Sequence, residues 1–188
     1  GVGQLLTINI SCPNTYRGEP FTSPGMFERL LQEVDLLHLD QPLFIKMPNH
    51  LEWRDFDALL AIAVKHRVAG VTVSNLAKRQ AGVTLVEPLP DSIRGGLSGK
   101  PTWEKSNELI RKAYCKYGEH FTIIGVGGVF SAEDAYTKIR LGATLVELIT
   151  GMVFEGPQLI GQINRGLAEL LERDGFTNVR DAIGVDAH

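Results

Sequence analysis

The chain has 188 residues, 44% of them hydrophobic and 22% charged, which predicts one domain over residues 1–188 with a full-sized core. A formal net charge of −3 leaves no basic field for nucleic acid or an anionic membrane, so neither partner is indicated. The two cysteines, Cys12 and Cys115, stand in different contexts, so we expect no disulfide framework. No apolar run approaches the roughly 18 residues needed to cross a bilayer.

Five short runs of apolar and β-branched residues predict β-strands. Each run is nearly continuous in hydrophobicity rather than alternating, which is typical of parallel strands that are covered on both faces. The runs are Leu5–Ile10, Leu43–Met47, Gly70–Ser74, Thr122–Val126 and Thr144–Ile149.

Segments with helical periodicity separate the strands. Ser23 and Pro24 supply an N-cap and a first helical residue, and a capping-box-like stretch begins another helix at Ser131. Cys115 falls in a third helical segment, where we expect it to pack in the core. The predicted helices span about 23–37, 54–66, 108–117 and 131–141, and the last opens at Pro157.

This alternation of strand and helix predicts a parallel α/β protein, either an open doubly wound sheet or part of a (β/α)8 TIM barrel. Polar residues and glycines follow the carboxyl ends of the strands, which in a barrel face one active site. We therefore predict a TIM-barrel fold that is incomplete in this chain, because five strands cannot close a barrel of eight. The residues at the strand ends are Asn9, Ser11, Cys12, Lys46, Ser74, Asn75, Gly127, Gly128, Thr150 and Gly151.

Two candidate features could bind an anion. Gly127 and Gly128 follow the fourth strand, and Thr150 and Gly151 follow the fifth, which favours a phosphate site over simple glycine turns. Lys46 interrupts an apolar strand, where a lysine either serves a function or extends its ammonium group into solvent. Its position at the same rim favours a cation that stabilises negative charge on a bound group.

Cys12 lies where the first strand opens into a loop, and three roles remain open for it. It lacks a Cys or His companion at the spacing of a metal site, so a metal ligand is not favoured. It could be a buried structural thiol, or it could act as a base or nucleophile. Asn9 and Asn14 flank it and offer amide groups suited to a planar polar ring, although asparagines also stabilise turns.

In their order and spacing, the motifs of this chain resemble those of the dihydroorotate dehydrogenase family. The similarity runs from residue 5 to the C-terminus, and the stretch around Ser98 resembles the quinone-linked branch. The matching stretches are Asn9-Ile10-Ser11-Cys12-Pro13-Asn14-Thr15, Lys46, Ser74-Asn75, Gly95-Gly96-Leu97-Ser98-Gly99-Lys100-Pro101, Ile124-Gly125-Val126-Gly127-Gly128 and Asp181-Ala182-Ile183-Gly184.

The resemblance implies an FMN enzyme that oxidises dihydroorotate to orotate in pyrimidine (UMP) biosynthesis. It implies that Cys12 removes the C5 proton while a hydride passes from C6 to flavin N5. Asn9, Asn14 and Asn75 would hold the substrate, and no metal is implied. The residues implied to contact FMN are Asn9, Lys46, Ser74, Ser98, Gly99, Val126, Gly127, Gly128, Thr150 and Gly151.

Two positions depart from the family pattern. The quinone-linked branch usually has serine at the position of Cys12, and cysteine is usual in the soluble branch, so quinone and a soluble electron acceptor both stay open. Leu76 replaces a threonine that the family uses near the substrate. This change keeps open another FMN barrel reductase that acts on a related pyrimidine.

The resemblance covers strands 4 to 8 of the family's barrel and leaves two strand edges unpaired. We expect a piece of a longer or split protein, a deliberate fragment, or a half-barrel completed by another chain or a second copy, and we favour the first. A non-catalytic half-barrel that binds flavin or phosphate is the alternative function. The expected location is the cytoplasm, or the surface of the inner membrane if the full-length protein has the N-terminal helices of the quinone-linked branch.

Overall fold

A five-stranded parallel sheet lies at the centre of the fold, in a computed structural model that describes residues 3–12, 20–78 and 95–188. The strands hydrogen-bond to one another in chain order, and every neighbouring pair is parallel. The prediction of five parallel strands that form an incomplete barrel is confirmed. The strands are β1 (Leu6–Asn9), β2 (Leu43–Lys46), β3 (Val68–Val73), β4 (Thr122–Val126) and β5 (Leu145–Glu147).

Helices follow the strands, and all of the predicted helical segments are present. Among the described residues, the α-helices are α1 (Pro24–Asp35), α2 (Trp53–Ala63), α3 (Trp103–Tyr117), α4 (Ala132–Arg140), α5 (Thr150–Glu155) and α6 (Leu159–Arg173). The third helix begins at Trp103 rather than at the predicted Glu108, and the last begins at Leu159 rather than at Pro157. Sequence periodicity did not predict α5, because its 6 residues are too few to show a helical repeat.

Local sequence explains where the helices begin and which face they bury. Phe27, Leu31 and Val34 recur at helical spacing along α1, and all three are buried. At the start of α4, Ser131 caps the helix by accepting a hydrogen bond from the backbone N–H of Asp134 at 3.1 Å. The cap fixes the point at which the chain leaves β4 and turns back along the sheet.

The main hydrophobic core lies between the central strands β2 to β4 and helices α1 to α3. Two smaller clusters pack α4 and α6 beside it. Each buried aliphatic or aromatic side chain of this kind contributes about 1.5–3 kcal/mol to the free energy of folding. Buried members of the main core include Phe27, Ile45, Phe56, Val71, Leu109 and Ile123.

The two outer strands are far more exposed than the central ones. Leu5, just before β1, is 47% exposed, and Leu145 in β5 is 55% exposed. On α5, next to β5, Val153 and Phe154 also project into solvent. Among the described residues, β1 and β5 each pair with one strand only, so both edges of the sheet are open.

One expectation about the surface was wrong. Cys115 was expected in the core, but it is exposed, and its Sγ lies 3.0 Å from the carbonyl oxygen of Ala187 near the C-terminus. At this position α3 contacts the C-terminal segment but stays open to solvent. Within the described ranges, no helix combines the length and the apolar character needed to cross a membrane.

Candidate functional site

A groove opens at the carboxyl ends of β2 to β5, on the side where the sequence predicts the functional residues. The enclosed part of the groove has a volume of about 90 Å³. The structure places most of the predicted cofactor residues, together with Asn75, along it. These residues are Lys46, Ser74, Asn75, Ser98, Gly99, Val126, Gly127, Gly128, Thr150 and Gly151.

One end of the groove is formed by bare backbone. Gly127 has φ +113° and Gly128 has φ +75°, a conformation that favours glycine. A Cβ atom on Gly127 would lie 2.5 Å from Oγ1 of Thr102, and one on Gly128 would lie 2.9 Å from Cβ of Trp103. Side chains are therefore excluded at both positions, and these two residues present only their peptide groups to the groove.

A hydroxyl group fixes this glycine loop from behind. Ser106, on α3, donates a hydrogen bond to the carbonyl of Val126 at 2.6 Å and lies 3.4 Å from the carbonyl of Val73. Because these two carbonyls end neighbouring strands, Ser106 ties the ends of β3 and β4 to the helix that packs on them. The glycine loop therefore starts from a fixed point.

The other end of the site is a polar network centred on Ser11. Its hydroxyl lies 3.0 Å from the carbonyl oxygen of Lys46 and 3.1 Å from Oδ1 of Asn9. The side-chain amide of Asn75 donates to the carbonyl of Ser11 at 2.7 Å and to its hydroxyl at 2.9 Å. Three strand ends, those of β1, β2 and β3, are joined by this one serine.

Ser74 and Asn75 connect the network to the groove. Ser74 is buried, and its hydroxyl accepts a hydrogen bond from the side-chain amide of Asn49 at 2.7 Å. The backbone N–H of Asn75 donates to the carbonyl of Met47 at 3.0 Å. The peptide bond between Val73 and Ser74 is cis.

Two predicted residues lie beside the groove rather than on its lining. Asn9 is exposed at the end of β1 and contacts the lining residue Asn75 at 3.4 Å. Cys12 is half-buried and directly follows Ser11, so it lies on the same side of the site. Asn14, also predicted to bind substrate, lies outside the described residues.

Several residues at the site were missed by sequence reasoning. Thr102, Val129, Leu148 and Ile149 complete the lining with Leu76. Behind the glycine loop, Lys138 is 0% exposed. The available signal was a lysine three residues after Ala135, on the face of the helix that this apolar residue buries, because a buried lysine is rare unless it is paired or functional.

The chemistry of these groups suits a planar ligand that carries a phosphate. A loop of bare glycine backbone is the usual cradle for a phosphate, and Lys46 supplies a cation on the same lining. The amides of Asn9 and Asn75 can pair with a polar ring. Among the described residues, no group of three or more His, Cys, Asp or Glu side chains could hold a metal ion.

Comparisons with known proteins agree with one another. The protein-family model described as dihydroorotate dehydrogenase matches residues 2–171 of this chain. A protein of Anaeromyxobacter dehalogenans named dihydroorotate dehydrogenase (quinone) is 38% identical over 96% of this chain and 50% of its own length. One of Deinococcus deserti with the same name is 37% identical over 99% of this chain and 53% of its own length.

Solved structures give the same result. The ligand-free crystal structure of DHODH from Eimeria tenella matches with a TM-score of 0.84 and 26% identity, over 98% of this chain and 56% of that one. A structure of the Eimeria tenella protein with ferulenol matches with a TM-score of 0.85 and 25% identity. The chain thus spans about half the length of the relatives that it matches.

Proposed function

This chain belongs to the dihydroorotate dehydrogenase family, and we propose that it forms the flavin-binding part of an enzyme that oxidises dihydroorotate to orotate in pyrimidine biosynthesis. The observation that carries the proposal is the groove at the strand ends, which combines a bare glycine loop with a lysine and a serine–asparagine network. We propose that residues 1–188 act as one domain, the C-terminal part of a TIM barrel. Further segments would then complete the barrel and the active site.

The cofactor that fits the groove is FMN. Gly127 and Gly128, with Thr150 and Gly151, would hold its phosphate, because backbone N–H groups of glycine can approach an anion closely, and Gly99 would line the cofactor beside them. Ser74, Ser98 and Val126 line the same groove as Lys46 and would contact the rest of the cofactor. The enclosed volume of about 90 Å³ is below the roughly 300 Å³ of a complete small-molecule pocket, so these residues would surround only part of FMN.

Lys46 and the asparagines would act on the ring systems. Lys46 is half-buried at the end of β2, where its positive charge would favour an anionic reduced flavin. Asn75, with Asn9 and Asn14, would hold the pyrimidine by its amide and carbonyl groups. The hydrogen bonds from Asn75 to Ser11 use both of its N–H donors and fix the direction of the amide, so Asn75 would meet the pyrimidine through Oδ1.

Cys12 is the proposed base. Its thiolate would take the proton from C5 of dihydroorotate, and FMN held in the groove would supply the hydride acceptor that formation of the C5–C6 double bond of orotate needs. Thiols ionise more readily than serine hydroxyls, so Cys12 needs less assistance than a serine would as a base. Its neighbour Ser11 is held by Lys46 and Asn75, which supports a fixed position for the thiol.

The electron acceptor that we propose is a quinone, because the curated relatives are named for it. A soluble acceptor is the alternative. With a quinone, the complete protein would work at the surface of the inner membrane, and with a soluble acceptor it would work in the cytoplasm. A second copy of the chain could be a further partner.

Replacement of Cys12 tests the chemical step. In the complete gene product, Cys12→Ala should slow flavin reduction by dihydroorotate at least 100-fold, the usual contribution of a general base. Stopped-flow absorbance of the flavin measures the rate, and the absorption spectrum shows whether FMN is still bound. Cys115→Ser is the matched control, because Cys115 is exposed on α3, away from the groove.

Each outcome of this experiment is informative. An unchanged reduction rate in Cys12→Ala would remove the thiol from the chemistry. A colourless wild-type protein that does not bind FMN would refute the flavin proposal as a whole. Loss of FMN from Cys12→Ala alone would assign the cysteine to binding instead.

A second candidate function rests on Leu76, which presents an apolar side chain to the groove beside Asn75. An FMN barrel reductase that acts on a related pyrimidine would fit this lining. Turnover of dihydroorotate compared with dihydrouracil distinguishes the two functions. Faster turnover of dihydrouracil would favour the second.

A further inference from the structure

Lys138 is a fully buried cation behind the glycine loop. It lies on α4 with an exposed fraction of 0%, and its Nζ lies 3.1 Å from Oγ of Ser106 and 2.8 Å from Oδ1 of Asn107. The ammonium group also stands 4.8 Å from the centre of the Trp103 ring. These contacts satisfy its hydrogen bonds, but they do not neutralise its charge.

Among the described residues, no carboxylate forms an ion pair with Lys138. The nearest acidic influence is Asp134, which lies one turn earlier on α4 and is already 2.7 Å from Nζ of Lys100. Asp134 also accepts a hydrogen bond from the backbone N–H of Phe130 at 2.9 Å. Two lysines and one aspartate therefore leave one uncompensated positive charge, and burying such a charge costs stability.

The cost of burying this charge is reflected in the pKa of Lys138. Burial lowers the pKa of Lys138 to about 7, Asp134 opposes this effect, and Lys100 adds to it. A nearby anion would lower the cost, because charges attract more strongly where water is excluded. The position of the groove decides whether an anion can come close enough.

Lys138 is connected to the glycine loop by one residue. Ser106 accepts from Lys138 and donates to the carbonyl of Val126 at 2.6 Å, and Val126 directly precedes Gly127 and Gly128. The side chain of Lys138 also passes close to β4, since a Cβ on Gly125 would lie 3.2 Å from its Cδ. The ammonium group therefore lies behind the glycine loop, on the side of α3.

We propose that Lys138 is a positioning residue for a bound phosphomonoester: it anchors the glycine loop through Ser106 and supplies, without contact, the positive charge that the phosphate needs. This inference rests on the proposed function, in which the phosphate is that of FMN. Because binding effects are reciprocal, phosphate binding and protonation of Lys138 should favour each other. The effect is specific for the phosphate and should not extend to the flavin ring.

The test compares FMN with riboflavin, which has the same ring system and no phosphate. In the complete gene product freed of flavin, dissociation constants are measured by quenching of flavin fluorescence. Lys138→Met should weaken FMN binding about tenfold while riboflavin binding changes less than about twofold. Lys138→Arg, which keeps the charge, should restore most of the preference for FMN.

Lys112→Met is the matched control. Lys112 is also a helical lysine with a hydrogen-bonded partner, Glu108 at 2.6 Å, but its side chain is 33% exposed and it does not line the groove. Its loss changes the net charge by the same amount. Both flavins should bind to this variant as they do to the wild type.

A second measurement uses only the wild-type protein, in case the variants do not fold. Between pH 7 and pH 9 the phosphate is already doubly ionised, since its second pKa is about 6. Lys138 loses its proton over this range, whereas the charges that face it, Asp134 and Lys100, both lie outside the groove in their own ion pair. The preference for FMN over riboflavin should therefore fall as the pH rises from 7 to 9.

The possible results separate this inference from the function on which it rests. If both flavins weaken equally in Lys138→Met, or if the preference for FMN is flat between pH 7 and pH 9, Lys138 is a structural residue and the inference is wrong. If neither flavin binds to the wild type, the proposed function fails, and the inference fails with it. A preference for FMN that depends on Lys138 supports both.

Discussion

The centre and the edge of the sheet hold the two ends of the groove in different ways. At the centre, the ends of β3 and β4 are covered by α3, and Ser106 fixes both by hydrogen bonds. At the edge, β1 is exposed along most of its length. There Ser11, between Asn9 and Cys12 in the sequence, adds hydrogen bonds to Lys46 at the end of β2 and to Asn75 after β3.

This difference indicates two kinds of support for function. At the phosphate end, the glycine loop after β4 is preorganised by α3 and the hydrophobic core, and its shape should tolerate little change. The base end is preorganised by a few hydrogen bonds on a strand with an open edge. Substitutions in the hydrophobic core, in the glycine loop and in the network around Ser11 test this distinction.

The largest effect is expected from the core below the groove. Ile45 is fully buried in β2, and Ile45→Ala should lower the free energy of unfolding by about 4 kcal/mol, because the cavity adds to the lost burial. Leu6 in β1 is 36% exposed, so in the 188-residue chain Leu6→Ala should cost less than about 1 kcal/mol. Urea denaturation followed by circular dichroism measures both.

The loss of stability in Leu6→Ala also shows whether further chain packs against the outer edge of β1. Equal costs for the two variants in the 188-residue chain would contradict the distinction between centre and edge. A cost above about 2 kcal/mol that arises only in a longer form of the protein would show that further chain packs on β1.

A smaller effect is expected from the glycine loop. Gly127→Ala combines a positive φ with a Cβ that would lie 2.5 Å from Oγ1 of Thr102, so it should cost about 3 kcal/mol of stability and weaken FMN binding more than tenfold. Gly175→Ala is the matched control, because Gly175 has φ +79° with nothing within 4 Å of its Cβ position. It should cost about 1 kcal/mol and leave FMN binding unchanged. Similar losses of FMN binding in both variants would show that close packing at Gly127 is not the cause.

The smallest effect on stability is expected from the network at the edge. Ser11→Ala removes a hydroxyl that contacts Lys46 and Asn75, and it should cost about 1 kcal/mol. Ser23→Ala is the matched control. It removes an exposed hydroxyl that also donates to a backbone carbonyl, that of Pro20 at 3.1 Å, and it should lower the free energy of unfolding by only a few tenths of a kcal/mol. Flavin reduction by dihydroorotate should slow in Ser11→Ala alone. An unchanged rate would show that the position of Cys12 does not depend on Ser11.

The sequence predicted the strands well because a parallel sheet leaves a strong local signal. Continuous apolar runs identified all five strands, although β3 begins at Val68, before the predicted Gly70. The run from Leu5 to Ile10 predicts a strand covered on both faces, whereas β1 is largely exposed. Within the described residues nothing pairs with its outer edge, and no local pattern can report such an absence.

The site was predictable where function follows a strand end, and less so where it depends on packing between helices. Lys46, Ser74 and Gly127 stand directly after or at the end of strands, so topology alone brings them to one groove. Lys138 joins the site through Ser106, which lies on a different helix. A sequence pattern can show that such a lysine faces the core, but it cannot identify the hydroxyl that it meets there.

Because the strands pair in the order in which they are synthesised, the sheet can be assembled as the chain leaves the ribosome. Leu6 pairs with Leu43, Gly70 with Thr122 and Ile124 with Leu145, so each strand needs only its successor as a partner. The paired residues are 37, 52 and 21 positions apart, and parallel pairing over such distances is slow in itself, so this arrangement sets the order of assembly rather than its speed. We expect translation to add one strand at a time to a growing edge, with no need to thread a late segment between two earlier ones.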